Sequence, residues 1–281
     1  MTGPERLSRR RFVLAGVVAA VLGACGRGRG RGATSTPATT GGTDANPHPA
    51  GGSTTPAATA ASAPTSPGPG TLPPTSVTGP LGPARYVPNG GRAGSRVALT
   101  FHASGDPALA QQLLDVVGRA AVPITVFGVG QWMAAHPDLV ARIAHDGHEL
   151  ANHTLTHQAM GQLSADRIGQ EVVGCADVLR NLTGSITAWF RPSGIAVPTA
   201  TILDQAGRAG YPVSVGYDVD SLDFQDPGAA AVQANVLDHV QPGSIVSLHF
   251  GHQGTIAAFG PIVDGLRGRG LEPVTVSQLL A

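Results

Sequence analysis

The chain has 281 residues and no lysine, and its 18 arginines balance 18 acidic residues, so the formal net charge is zero. The balance is uneven: seven arginines precede residue 32, whereas from Ala84 onward 11 arginines face 16 acids. A mildly acidic folded part without a clustered basic face excludes nucleic acid as the partner. Of the two cysteines, Cys25 and Cys175, the first has another use argued below, so no internal disulfide is expected.

Ser8-Arg9-Arg10-Arg11-Phe12-Val13-Leu14 looks like a twin-arginine export signal. The apolar run from Phe12 to Ala24 is too short to span a bilayer, which takes about 20 residues, and suits a signal-peptide core. It ends Leu22-Gly23-Ala24-Cys25, which resembles a lipobox. Residues 1–25 are therefore expected to be an export and lipoprotein signal, with Cys25 lipidated and holding the chain at a membrane. Arg27, Arg29 and Arg31 alternate with glycine, which suits anionic headgroups or a flexible basic spacer. Residues 33–83 are mostly Thr, Ser, Pro, Ala and Gly with one charge, Asp44, and no aromatic residue. Such a stretch buries too little apolar surface to offset its chain entropy, so residues 26–84 read as a disordered tether.

Order is expected over residues 85–281. Arg96–Phe101 and Ile124–Val129 read as strands, and Pro107–Ala120 reads as a helix between them. Pro137–Asp146 is a helix opened by proline and stopped by Gly147. Ser164 caps a long helix that carries Cys175 in its apolar stripe and ends at Gly184. Further strands are expected at Ala188–Arg191, Val213–Tyr217, Ser244–Phe250 and Pro273–Val276, and further helices at about 198–209, 228–240 and 257–268. Regular β–α alternation argues a parallel sheet, and the strand count fits a barrel, whose sites lie at the carboxyl ends of strands.

Three of the ten histidines fall in His148-Glu149-Leu150-Ala151-Asn152-His153-Thr154-Leu155-Thr156-His157. This stretch reads as a short strand running into a polar loop. His153 and His157 are four apart, so one helical turn or a tight loop points both imidazoles at one spot, and imidazole is a common zinc ligand. By itself the spacing equally suits two surface histidines. Other strand ends carry His102, Arg191, Asp220, Asp223 and His249.

These motifs, in this order and spacing, resemble the polysaccharide deacetylases with a NodB-type domain (carbohydrate esterase family 4), over about Arg96 to Ala281. His153–His157 resembles the family's H-[ST]-x-x-H metal motif. Phe190-Arg191-Pro192 resembles its arginine motif, Asp220-Ser221-Leu222-Asp223-Phe224 its D-S-x-D-W motif, and Leu248-His249 its final Leu-His motif. The resemblance implies a distorted (β/α) barrel and a divalent metal, usually zinc. It also implies hydrolysis of N-acetyl or sometimes O-acetyl groups on chitin oligomers or peptidoglycan glycans. His249 would protonate the departing amine, with Asp223 orienting its imidazole.

One motif departs. The family's T-F-D-D-G-P supplies a general base and a third metal ligand, but here Thr100-Phe101 runs into His102 and Ala103, with Asp106-Pro107 two residues later than the pattern requires. Asp106 then serves as base or ligand, or His102 completes a three-histidine site with His153 and His157, or the site is dead. Asp106 before Pro107 is also a good helix N-cap. Arg191, which the resemblance pairs with the base Asp, is left to Asp106, Asp220 or substrate. The expected function is a metal-dependent hydrolase that deacetylates cell-wall polysaccharide. It would act as a monomer, lipid-anchored on the outer face of the bacterial cytoplasmic membrane. The competing expectation is a catalytically silent lipoprotein that binds the same glycan, and a weaker third is a hydrolase for a different acyl group.

Overall fold

The computed structural model describes residues 82–281. The export signal, Cys25 and most of the tether lie outside the described residues. The strands are β1 (Arg85–Val87), β2 (Arg96–Ala103), β3 (Thr125–Gly128), β4 (Glu149–Asn152), β5 (Trp189–Phe190), β6 (Val213–Val215), β7 (Val219–Asp220), β8 (Ile245–His249) and β9 (Glu272–Val274). All pair in parallel, in the order β1-β6-β5-β4-β3-β2-β8-β7. Ala98 pairs with Ile245 on one edge of β2 and with Val274 of β9 on the other. The helices are α1 (Pro107–Ala120), α2 (Gly130–Ala135), α3 (Pro137–His145), α4 (Ala165–Thr183), α5 (Ala200–Arg208), α6 (Ala229–Leu237), α7 (Gln253–Gly268) and α8 (Val276–Leu280). The architecture is a curled, all-parallel sheet wrapped by helices, a distorted (β/α) barrel.

The central strand β2 shows why the sheet is buried on both faces. Leu99, Phe101 and Ala103 point outward into the main core, beneath α1 and α7. Phe101 packs there edge-on to Phe250, 5.7 Å between ring centroids, and burying one such ring contributes about 1.5–3 kcal/mol. The intervening residues face the barrel interior, as the two-residue period of a strand requires. Ala98 joins an inner cluster with Val87, Phe127, Ala151, Val215 and Ile245, while Thr100 and His102 carry the polar end of that interior. Helix α4 opens at Ser164, whose hydroxyl accepts from the Arg167 N–H, and closes at Gly184 with φ 78°.

Several elements differ from the sequence expectation, which had no counterpart for α2 or β7. The segment read as a strand over Pro273–Val276 is a strand only to Val274. Thr275 then opens α8 with a capping box, exchanging side-chain and backbone hydrogen bonds with Gln278. Helix α8 seals the amino end of the barrel. Its Ser277 and the neighbouring Thr125 and Trp189 all donate to Glu149, a carboxylate that is 3 % exposed. The first strand, β1, had no counterpart in the sequence expectation; its three residues extend the sheet beside β6.

Candidate active site

At the carboxyl end of the barrel, His102, His153, His157, Arg191, Tyr217, Asp220, Phe224 and His249 surround a cavity of about 270 Å³. Each reaches it from a strand end or from the loop that follows. The 153–157 loop is tight rather than helical: Thr154 and His157 both hold left-handed backbone, at φ 68° and 61°. Such non-glycine residues cost on the order of 1–3 kcal/mol each and need support. The Asn152 side chain accepts from the Thr154 N–H at 2.9 Å, and buried Glu171 accepts from the Thr156 N–H and hydroxyl at 2.8 and 2.7 Å. Gly130 lets the loop lie close, since a Cβ there would stand 3.2 Å from the Leu155 Cα.

Asp223 and His249 form a tightly held pair. Asp223 Oδ1 accepts from His249 Nδ1 at 2.7 Å, and its other oxygen accepts from the His249 backbone N–H and the Thr255 hydroxyl. Burial alone would raise the Asp223 pKa, but these hydrogen bonds and the facing imidazole hold it below the usual carboxylate value. Thr255 was not anticipated: it lies in the first turn of α7, where no short motif marks it.

Arg191 is buried at 2 % exposure, over the Phe127 ring at 4.0 Å. It donates to the Val215 and Gly216 carbonyls, to the Thr100 hydroxyl and to His102 Nε2 at 3.1 Å, and to no carboxylate. Burial pushes its pKa down to about 9, so it remains a cation at neutral pH. The expected pairing of Arg191 with Asp106 or Asp220 is not formed.

His102 thus occupies the seat facing Arg191. Its Nδ1 lies 2.8 Å from His249 Nε2 and its ring stacks on His153 at 4.1 Å. Burial first, then the neighbouring His153, Arg191 and His249, keep its pKa well below the usual histidine value, so it is neutral. Both of its ring nitrogens are engaged. That corrects the expectation that His102 completes a three-histidine metal set.

Asp106 is likewise corrected as a base or ligand. It caps α1, accepting from the Ala108 N–H at 2.8 Å, and does not line the cavity. Ala103 turns into the helix-side core, so nothing on β2 offers a third ligand. His252 pairs with Asp226 at 2.8 Å at the rim, and Cys175 is a buried core residue whose thiol burial pushes up to about 12.

The fit of a divalent metal can be judged from the donors. His153 Nδ1 donates to the Arg191 carbonyl at 2.9 Å, which leaves Nε2 buried and unpartnered, and His157 stands beside it with ring centroids 5.0 Å apart. Two imidazoles are half of a site. Zinc centres take at least three protein ligands, and among the described residues no three His, Cys, Asp or Glu side chains converge to hold an ion. The residues present do not make a complete metal site.

Comparison with known proteins places this geometry. The polysaccharide deacetylase family model matches residues 89–214. A chitooligosaccharide deacetylase of Rhizobium leguminosarum bv. trifolii is 30 % identical over 204 residues, covering 65 % of this chain and 90 % of the relative. A solved peptidoglycan N-acetylglucosamine deacetylase superposes with a TM-score of 0.65 at 27 % identity, covering 69 % of this chain and 92 % of the other. A pseudoenzyme of carbohydrate esterase family 4 from Bacillus anthracis shares the fold, with a TM-score of 0.66 at 23 % identity over 72 % of this chain and 70 % of its own. With its barrel, its strand-end histidines and a relative matched over nine-tenths of that relative's length, this chain belongs to the polysaccharide deacetylase family.

Proposed function

We propose that the domain removes acetyl groups from N-acetylated cell-wall polysaccharide, peptidoglycan or a chitin-like glycan. The observation that carries this is the Asp223–His249 pair, which opens on a cavity wide enough for an acetamido group and part of a sugar ring. A module that only held glycan would have no use for a buried carboxylate aimed at an imidazole. Asp223 fixes the ring with its proton on Nδ1, which leaves Nε2 to exchange a proton with the reacting groups. Arg191 supplies a fixed positive field beside them.

A divalent ion, zinc before others, is the cofactor the resemblance implies, and His153 and His157 are the residues that would hold it. The proposed setting is the outer face of the cytoplasmic membrane, reached by twin-arginine export. The monomeric domain is held there by lipid on Cys25 and reaches the wall on the residue 26–84 tether. The sequence motifs within residues 1–25 support that placement.

The test is acetate release from N-acetylated chitooligosaccharides and from peptidoglycan by the intact chain, beside His249→Ala. Release that the variant loses supports the reading; equal release from both removes it. A second reading, a silent glycan-binding lipoprotein, is favoured by the incomplete ligand set and by Ala103 turning away from the cavity. Glycan binding by the intact chain without any acetate release would establish it.

A further inference from the structure

We propose that Asp220 reads the charge of the bound sugar. It holds a protonated amine, so the domain favours glycan whose amines are already partly free over fully acetylated glycan and over sugars that carry a carboxylate. The inference deepens the deacetylase reading, on which the choice of a hexosamine glycan rests, but its readout is binding and not turnover.

The argument starts from the acids between residues 218 and 226. Asp218 accepts from Arg92, the Ser244 hydroxyl and the Ile245 N–H. Asp223 is taken by His249 and Thr255, and Asp226 by His252. Asp220 is the only carboxylate among the described residues that lines the cavity. Its Oδ1 accepts from the Leu222 N–H at 3.0 Å, in a turn where Leu222 holds left-handed backbone at φ 54°. Its Oδ2 has no partner among the described residues. One oxygen thus fixes the side chain and the other is left for a ligand.

Strand β7 sets this aim. Val219 packs into the main core, so Asp220, the next residue along the strand, faces the interior. Asp220 pairs in register with Ser247 of β8, two residues before His249, which puts the carboxylate on the same wall of the cavity as that imidazole.

Two neighbours favour a cation at Oδ2. Tyr217 lines the cavity, and its hydroxyl has no hydrogen-bond partner among the described residues. Phe224, 47 % exposed, offers a ring face to which an ammonium is attracted. An ammonium brings three donors and no acceptor, which suits one carboxylate oxygen, one phenol oxygen and an aromatic face. A carboxylate on the sugar would instead set two like charges in a cavity of about 270 Å³. The nearby cation does not satisfy Asp220. Arg191 is 2 % exposed, spends its N–H groups on the Val215 and Gly216 carbonyls, Thr100 and His102, and forms no ion pair with Asp220.

The experiment is titration calorimetry of the intact chain with two probes: a glucosamine tetramer, at a pH where its amines are protonated, and an N-acetylglucosamine tetramer. The glucosamine tetramer should bind about tenfold or more tightly, the scale of one charge-assisted hydrogen bond. Asp220→Asn keeps an oxygen for the Leu222 N–H and should bring the two affinities within about twofold of each other. Asp226→Asn, at the rim, should keep the preference. In the unaltered chain the preference should shrink as salt rises from about 0.05 to 0.5 M. Equal binding of the two tetramers, binding of neither, a preference that outlasts Asp220→Asn, or one indifferent to salt overturns the inference. If the preference is found but the intact chain releases no acetate from partly or fully acetylated glycan, the deacetylase reading falls and the charge reading stands. If acetate is released without the preference, the charge reading falls alone.

Discussion

Asp223 grips His249 at two points, with one carboxylate oxygen 2.7 Å from Nδ1 and the other 2.8 Å from the backbone N–H of the same residue. Side chain and strand end are therefore positioned together. Asp223→Asn keeps the shape and one of the two acceptor oxygens but offers an amide N–H to the ring or to its neighbours. Acetate release should fall by roughly 10²–10⁴-fold, the range seen when a carboxylate behind a catalytic histidine is neutralised. Turnover within a few-fold of the unaltered chain would show that His249 works without this partner.

The metal question has a direct measurement. After exposure to zinc and dialysis, the intact chain should hold well below one equivalent, because among the described residues no third ligand converges with His153 and His157 at the cavity. Whatever remains should disappear in His153→Ala and His157→Ala. A full equivalent that survives dialysis would reveal a third ligand recruited by movement, and would restore the metal-dependent scheme.

Acid should weaken the fold at a pH set by buried histidines. His102, His148 and His153 are buried, and burial before any other cause lowers their pKa values. The unfolded chain takes up protons at these positions as pH falls below about 6.5, while the folded chain does not. Stability is therefore full above that value and is lost as pH falls through it, by up to about 1.4 kcal/mol per pH unit for each such histidine. His148 is the cleanest probe, being 7 % exposed with neither ring nitrogen hydrogen-bonded. Urea midpoints between about pH 5 and 7 should fall less steeply for His148→Leu; an unchanged slope would exclude His148 as a contributor.

Glu149 should matter to stability and not to chemistry. Removing its carboxylate in Glu149→Ala leaves the buried Thr125 hydroxyl without an acceptor and takes one from Ser277, while Trp189 keeps only the Ser277 hydroxyl, a cost of about 1–3 kcal/mol. The urea midpoint should drop accordingly, and Trp189 fluorescence should report loosening of α8. Acetate release per folded molecule should be unchanged, because Glu149 lies at the opposite end of β4 from the cavity.

The barrel and the positions of its strand ends were legible because their signals are local. Proline and serine at helix starts, glycine at helix ends, and apolar runs of strand length mark the elements one by one. The residues now seen around the cavity follow those runs directly. What misled the reading was also local: Thr275-Val276-Ser277-Gln278 is a capping box, but its β-branched residues next to Pro273 read as strand. Asp106 shows the reverse case, since its helix-capping signature described its place in the structure and its motif-like position did not.

By itself, the sequence determined the alternation of elements and which polar residues stand at strand ends. Only the tertiary structure decided which of those residues meet. His102 and His249 are 147 positions apart and touch because β2 and β8 pair in a register that sets them side by side. Ala103 and His102 are neighbours in the chain yet serve opposite faces of the sheet, which removes one from the cavity and puts the other at its centre.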